Sequence, residues 1–314
     1  MRRDGNGAAE AILIAGPTAS GKSALAIALA QRFGGTIINA DSMQIYADLT
    51  VLSSRPGAVD LAQAPHRLFG HVDGAEPYSV ARWLTEVASE IEAARQSSKL
   101  PIVVGGTGLY FKALTQGLSA IPTVPQAVRD RVRREAESLP VATLHARLAL
   151  LDPATAARLR PTDPQRIIRA LEVFEATGRS LASFQGDREP PVLPTTAVIG
   201  LCLTPERTAL NARIDARFDR MVADGALDEV ATLGERRLDP ALPVMRALGV
   251  PSFLSYLDGS LTLDEAIAAA KLQTRQYAKR QMTFARHQLN FTAVQPDDAA
   301  ALALLLGNVG SASS

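Results

Sequence analysis

A single cysteine, Cys202, is all the thiol chemistry that this 314-residue chain carries. One thiol excludes an internal disulfide framework and fits a reducing compartment. Within the strand-like run VIGLCL it reads as a small buried apolar residue. Long apolar runs are missing too: no stretch approaches the ~18 residues that a membrane helix needs, and ALALLL near the C-terminus is far shorter. Residues 1–10 lack the apolar centre of a secretory leader. The four histidines, His66, His71, His145 and His287, show no spacing typical of a zinc site. These absences point to a soluble cytoplasmic protein with no membrane partner. Net charge is nearly absent as well, 33 Lys and Arg against 32 Asp and Glu leaving +1, but that balance hides an uneven distribution. Residues 120–191 hold arginines and no lysine, and residues 266–296 hold no aspartate or glutamate. A hydrophobic content of 47% is ample for a core, and the length accommodates one large domain or a core with a smaller insertion. The GSASS tail reads as disordered.

The strongest positive signal is GPTASGKS, made of Gly16, Pro17, Thr18, Ala19, Ser20, Gly21, Lys22 and Ser23, between the apolar run AILIA and the helical pattern ALAIALA. Strand, glycine loop and helix in that order form a phosphate-cradling loop. Glycines turn backbone N–H groups inward, the helix presents its positive end, and Lys22 adds a full charge. Ser23 is then placed to ligate magnesium.

Further apolar runs at 36–39 and 101–104 alternate with a helical pattern at 80–95, where Leu84, Val87, Ala88 and Ile91 share a face. Such alternation predicts an α/β fold, a parallel sheet flanked by helices as in P-loop NTPases. Ligands then sit at the carboxyl ends of the strands, where GPTASGKS, ADSMQIY and GGTGLY fall. Residues 120–191 change character to short helices opened by Asp152-Pro153 and Asp163-Pro164. The tract DREPPVLPTT at 187–196 reads as a linker, followed by a strand AVIGLCL and a helix opened by Thr204-Pro205. The expected organisation is a catalytic core over 1–119 and 192–314, with a small all-helical module inserted at 120–191.

Asp41 ends the second strand, facing the same cleft as Lys22. It can hold magnesium, act as a general base, or merely cap the turn that follows. Ser42, Gln44 and Tyr46 add hydrogen-bonding groups beside it, and an amide such as Gln44 can read an adenine edge. The third strand ends in Gly105, Gly106, Thr107 and Gly108, with no carboxylate. Those glycines mark a turn or the close approach of a ligand or neighbouring helix, with Thr107 and Tyr110 exposed to the cleft. Arg166 and Arg169 share a helix face next to Gln165, where pairing with Glu172 or Glu175 is the plain reading. Lys271, Arg275 and Lys279 form an i, i+4 ladder interleaved with Gln276, Tyr277 and Gln281. Like charges so spaced disfavour a helix, so the ladder fits either an anionic partner such as a nucleic-acid backbone or a solvated face. Arg213, Arg217 and Arg220 recur on another helix, and one of them can reach the phosphate site.

Taken together, GPTASGKS, DSMQIY, GGTGLY, DPQRIIRALEV, RIDARFDRMVADGALDEV and TRQYAKRQMTFAR resemble the tRNA dimethylallyltransferases, or tRNA isopentenyltransferases, over residues 11–290. The resemblance implies dimethylallyl diphosphate as donor and, as acceptor, N6 of the adenosine immediately 3′ of the anticodon in a tRNA anticodon stem-loop. It implies Asp41, Lys22, Ser23 and Arg217 as catalytic residues, residues 16–23 as the diphosphate site, and Mg2+ on Ser23. tRNA contacts are implied for Asp41, Ser42, Met43, Gln44, Thr107, Arg129, Gln165, Arg166, Ile167, Ile168, Arg169 and Arg246, in a monomer. Departures from the usual family wording are Ser23 for threonine, Arg55 for lysine, Phe284 for tryptophan, and Ala247-Leu248-Gly249-Val250-Pro251-Ser252 as a block. A small-molecule kinase using ATP on the same loop, and a nucleic-acid-binding module without chemistry, are the competing readings.

Overall fold

The computed structural model describes residues 9–296 apart from 185 and 187, so the ALALLL run and the GSASS tail lie outside it. The chain divides into two units, Met1–Thr115 with Val192–Ser314, and Gln116–Pro191. The first opens with β1 (Ala11–Ala15), α1 (Lys22–Phe33), β2 (Gly35–Asn39), α2 (Ala58–Gln63), β3 (His66–Arg67), α3 (Val80–Gln96), β4 (Leu100–Gly105) and α4 (Gly108–Gln116). The second contains α5 (Gln126–Glu137), α6 (Val141–Leu151), α7 (Pro153–Ala156) and α8 (Pro164–Thr177). The chain then returns through β5 (Val198–Leu203), α9 (Arg207–Ala223), α10 (Ala226–Glu235), α11 (Val250–Leu257), α12 (Leu263–Gln288) and β6 (Thr292–Val294).

The six strands form one sheet in the order β3-β2-β4-β1-β5-β6, every pairing parallel. β1 is central and buried on both faces, which is why it reads as an unbroken apolar run. Its Ile12 and Ile14 pack with Ala26, Ile27 and Leu29 of α1. Its Ala11, Leu13 and Ala15 pack on the other face with Trp83 and Val87 of α3, Phe111 of α4 and Ala285 of α12. Register sets Ala15 opposite both Gly105 and Cys202. The ends of β1, β4 and β5 are therefore level, and the loops after β1 and β4 start side by side. Cys202 is buried there, and burial pushes its thiol up to about 11.

Three expectations change in detail. The two-residue β3 and the short β6 are too brief to leave a periodic signal. The helix after β5 begins at Arg207, capped by Glu206 accepting from the Ala209 N–H, so Pro205 lies outside it. The proline tract is no free linker: Glu189 N–H donates to the Leu118 carbonyl, and the fully buried Leu193 donates to that of Leu114 at 3.0 Å.

The second unit has its own core, made by Val132, Leu144, Leu148, Ala156, Ile167, Ala170 and Leu171. Asp152 and Asp163 cap α7 and α8 by accepting the N–H of Thr155 and Arg166.

Candidate functional site

The loop after β1 takes its shape from two left-handed residues, Ala19 at φ 61° and Gly21 at φ 89°. Gly21 is the N-cap of α1 and offers no side-chain acceptor, so the first amides of that helix point out unpaired, the arrangement that attracts an anion. Lys22 Nζ donates to the Pro17 carbonyl at 3.1 Å, folding the lysine over its own loop. Burial pulls its pKa from 10.5 down to about 8 against the opposing pull of Asp41, with Arg217 lowering it further. Arg217 is the α9 arginine that reaches this loop, with Nη1 3.4 Å from Thr18 Oγ1. Burial lowers its pKa while Asp41 opposes that. Arg213, one turn earlier, has a buried Nε without a partner, and Arg220 is exposed. Between Thr18, Arg217 and Thr274 a cavity of about 50 Å³ opens, walled by Leu52, Ile214, Phe218, Met221 and Leu248.

Asp41 follows β2 on a rigid support. The fully buried Asn39 accepts the Asp41 N–H at 2.8 Å through Oδ1 and donates through Nδ2 to the carbonyls of Asp41 and Leu68. Trp83 Nε1 donates to the Asn39 carbonyl at 2.8 Å. Asp41 Oδ1 accepts the Met43 N–H at 3.0 Å, which leaves Oδ2 toward Gly106. Thr107 stitches this loop to the end of β4: its Oγ1 accepts the Ser42 N–H at 2.9 Å, and its own N–H donates to the Ala40 carbonyl.

Each glycine of GGTG is required by a different neighbour. A Cβ on Gly105 would lie 2.1 Å from the Ala40 carbonyl, one on Gly106 2.1 Å from Gln281 Nε2, and one on Gly108 2.2 Å from Phe284. The close approach is that of the Asp41 loop and of α12, whose Phe284 ring lies against Gly108. Tyr110 is a correction: it is buried and stacked on Trp83 at 4.3 Å rather than facing the cleft. Tyr277 of α12 takes the inward place, close to the side chains of Thr107 and Gln281. Burial and then Asp41 raise its pKa.

Several candidates are partly or wholly engaged within the fold. Gln44 donates both amide hydrogens, to the carbonyls of Ser53 and Ser54 at 2.9 Å each, so only its Oε1 remains to meet a base. Arg55 donates to the Tyr46 carbonyl and Thr50 Oγ1, lying against Gly70 where any Cβ would collide with it. Lys271 and Arg275 are neutralised within the fold by Asp219 and Asp215 of α9, each at 2.5 Å. The ladder therefore needs no external anion at those two positions, because its counter-charges sit on another helix. Lys279 and Arg286 are exposed without a carboxylate partner among the described residues, and Arg280 lies over the Tyr277 ring. Arg246 is exposed, donating to the Pro240 carbonyl. In the departing block that follows it, Val250 and Ser252 are buried and Gly249, at φ 92°, starts α11, so those residues serve the core.

In the second unit Gln165 and Arg166 are exposed on α8, and Arg166 pairs with Asp163. Arg169 pairs with Glu172, which Arg133 also engages. Ile167 is buried in that unit's core, so its side chain cannot be a contact, and Ile168 packs beside it. Arg129 is half-buried on α5, its Nε without a partner.

Sequence reading missed Glu229 of α10. Its carboxylate accepts the N–H groups of Thr50, Val51 and Leu52, the loop whose next carbonyls hold Gln44. Glu229→Gln replaces half of that acceptor with a donor facing donors. It is expected to cost about 2 kcal/mol of stability, read as a lowered denaturation midpoint at unchanged m-value.

Comparison with known proteins adds an independent finding. The family described as IPP transferase matches residues 44–288, and that described as isopentenyl transferase matches residues 9–70. The chain is 59% identical over 295 residues to the tRNA dimethylallyltransferase of Methylocella silvestris, covering 94% of this chain and 97% of that one. It is 57% identical over 295 residues to that of Methylobacterium nodulans, covering 93% and 97%. Among solved structures it resembles a tRNA isopentenylpyrophosphate transferase from Bacillus halodurans, with TM-score 0.69, 32% identity and coverage of 95% and 96%. It also resembles a eukaryotic dimethylallyltransferase studied acting on tRNA, with TM-score 0.80, 30% identity and coverage of 95% and 78%.

Proposed function

Since this chain belongs to the IPP transferase family and is a tRNA-prenylating enzyme, we propose how its residues divide the work. It transfers a dimethylallyl group from dimethylallyl diphosphate to N6 of the adenosine immediately 3′ of the anticodon. The observation that carries this reading is that Lys22, hydrogen-bonded to Pro17, and Arg217 of α9, 3.4 Å from Thr18, meet at the phosphate loop, while Asp41 Oδ2 stands beside Gly106 in the neighbouring loop and acts on both charges.

The loop of residues 16–23 holds the diphosphate as a leaving group. Its amides, Lys22 and Arg217 meet the negative charge that grows on oxygen as the allylic C–O bond breaks. The cavity beside Arg217, with its apolar wall, takes the hydrocarbon end. The adenine must leave its stack to enter, which an anticodon loop permits at lower cost than a duplex. The N6 lone pair forms the new C–N bond, the C–O bonding pair departs on the diphosphate, and the N6 proton passes to Asp41 Oδ2. Ser42, Met43, Thr107 and Gln44 Oε1 line the base's entry, and Arg246 and, on the second unit, the exposed Gln165 and Arg166 are further tRNA contacts.

Among the described residues no group of three or more His, Cys, Asp or Glu is placed to hold a metal. The exposed Ser23 hydroxyl, in the first turn of α1, would be the protein's ligand to a magnesium ion bound with the diphosphate. Magnesium there supplies further positive charge to the leaving group.

A kinase reading is less well supported. At the end of β4, where such an enzyme places a second carboxylate, the glycines are instead packed against the Asp41 loop and α12. No helix among the described residues is long and apolar enough to cross a membrane, and we take the enzyme to act on tRNA in the cytoplasm as a monomer. The direct test is incubation with dimethylallyl diphosphate and unmodified tRNA. The expected product is adenosine heavier by one dimethylallyl group, with one diphosphate released. ATP consumption with a small acceptor and no such product would overturn the assignment.

A further inference from the structure

Gln281 is a buried polar side chain that the reaction above leaves unused. It lies on α12, 7% exposed, and its amide makes two bonds to backbone. Oε1 accepts the Thr18 N–H at 3.0 Å, and Nε2 donates to the Gly106 carbonyl at 2.9 Å. The first anchor belongs to the loop that grips the leaving group. The second belongs to the loop that Thr107 bonds to Ser42, next to Asp41. The β1–β4 ladder ends at Ala15 and Gly105, so beyond that pair the two loops share no strand register. Gln281 takes over where the ladder stops. A Cβ on Gly106 would meet its Nε2 at 2.1 Å and Asp41 Oδ2 at 3.2 Å, so the amide and the carboxylate flank the same glycine.

We infer that Gln281 is a positioning residue for the transfer, a strut that sets the separation between the electrophilic carbon over the phosphate loop and the amine at Asp41. The inference rests on the assignment of those two halves to donor and acceptor. Displacement by about 1 Å of two reacting groups can slow a reaction ~10²-fold without weakening the binding of either. An amide suits the task because it donates to one loop and accepts from the other in a fixed plane.

Gln281→Met keeps the volume and removes both bonds, whereas Gln281→Asn keeps an amide one methylene too short to span them. In single-turnover assays at saturating donor and tRNA, both variants are expected to transfer about 10–100-fold more slowly than the wild type. Their Kd values for inorganic diphosphate and for tRNA are expected to stay within about threefold. Transfer within about threefold of wild type in either variant, or a slow rate matched by an equal loss of one affinity, overturns the inference. Loss of folding in both variants overturns it as well, by making Gln281 a stability residue only. Wild-type protein that makes no prenylated tRNA is a distinct result, and removes the assignment of the two halves instead.

Discussion

Asp41→Asn is expected to lower single-turnover dimethylallyl transfer by about 10²–10⁴-fold, the range associated with losing a positioned general base. The substitution is the informative one because an asparagine Oδ1 still accepts the Met43 N–H, and the Asn39 support beneath it is untouched. The loop keeps its shape and loses the group that takes the N6 proton. Adenine N6 needs that help, since its lone pair is delocalised into the ring. Affinity for tRNA is expected to stay within about threefold of wild type, because phosphate contacts supply most of it. Rapid-quench measurement of modified adenosine, with filter binding on the same preparation, separates the two quantities. Turnover close to normal would remove Asp41 from the role of base.

Lys22→Met is expected to slow transfer about 10²–10³-fold, by removing one preorganised charge from the departing diphosphate, and to change how pH acts on binding. In the folded protein burial pulls Lys22 from 10.5 down to about 8. Between these values the folded chain holds fewer protons than the unfolded one. The lysine therefore penalises folding below about pH 8, and the penalty fades as pH rises toward 10.5. Diphosphate acts in the opposite sense, because it restores a counter-charge and favours the ammonium form. Affinity for inorganic diphosphate is expected to weaken above pH about 8 in wild type, up to about tenfold per unit. The Met variant, weaker throughout, lacks that component. Calorimetric titrations of both proteins from pH 7 to 9 in buffers of different ionisation enthalpy measure the difference, which cancels the titration of diphosphate itself. Parallel slopes would sink this account of Lys22.

What the sequence made legible was local. GPTASGKS between an apolar run and a helical pattern led directly to β1, its loop and α1, because the glycines, the lysine and the strand all act within a few residues of one another. Asp41 at the end of β2, the alternation behind the parallel sheet and the aspartate caps of α7 and α8 were readable for the same reason. The features that escaped are settled by residues far apart in the chain. Lys271 and Arg275 read as a ladder awaiting an anion, since a count over 266–296 cannot see Asp215 and Asp219 on α9. Tyr110 read as a cleft residue, because nothing near it announces that Trp83 stacks on its ring. Gln44 carries the right chemistry for a base edge, yet its donors are claimed by two carbonyls about ten residues on. Gln281 was legible only as a polar residue interleaved with the basic ladder and Glu229 not at all, because both look like surface residues until their backbone partners are known.

The Thr18–Gln281 bond spans 263 residues of chain, and β1 cannot gain its second neighbour until Val198–Leu203 has been made. During synthesis, then, the phosphate loop leaves the ribosome early and waits through nearly the whole of translation without the helix that completes it. Gln116–Pro191, whose apolar cluster is assembled entirely from its own helices, has no such delay. A chain released before α12 keeps the β1–β4 ladder and an intact signature for binding phosphate, but lacks the Thr18–Gln281–Gly106 link that ties the two loops together beyond that ladder.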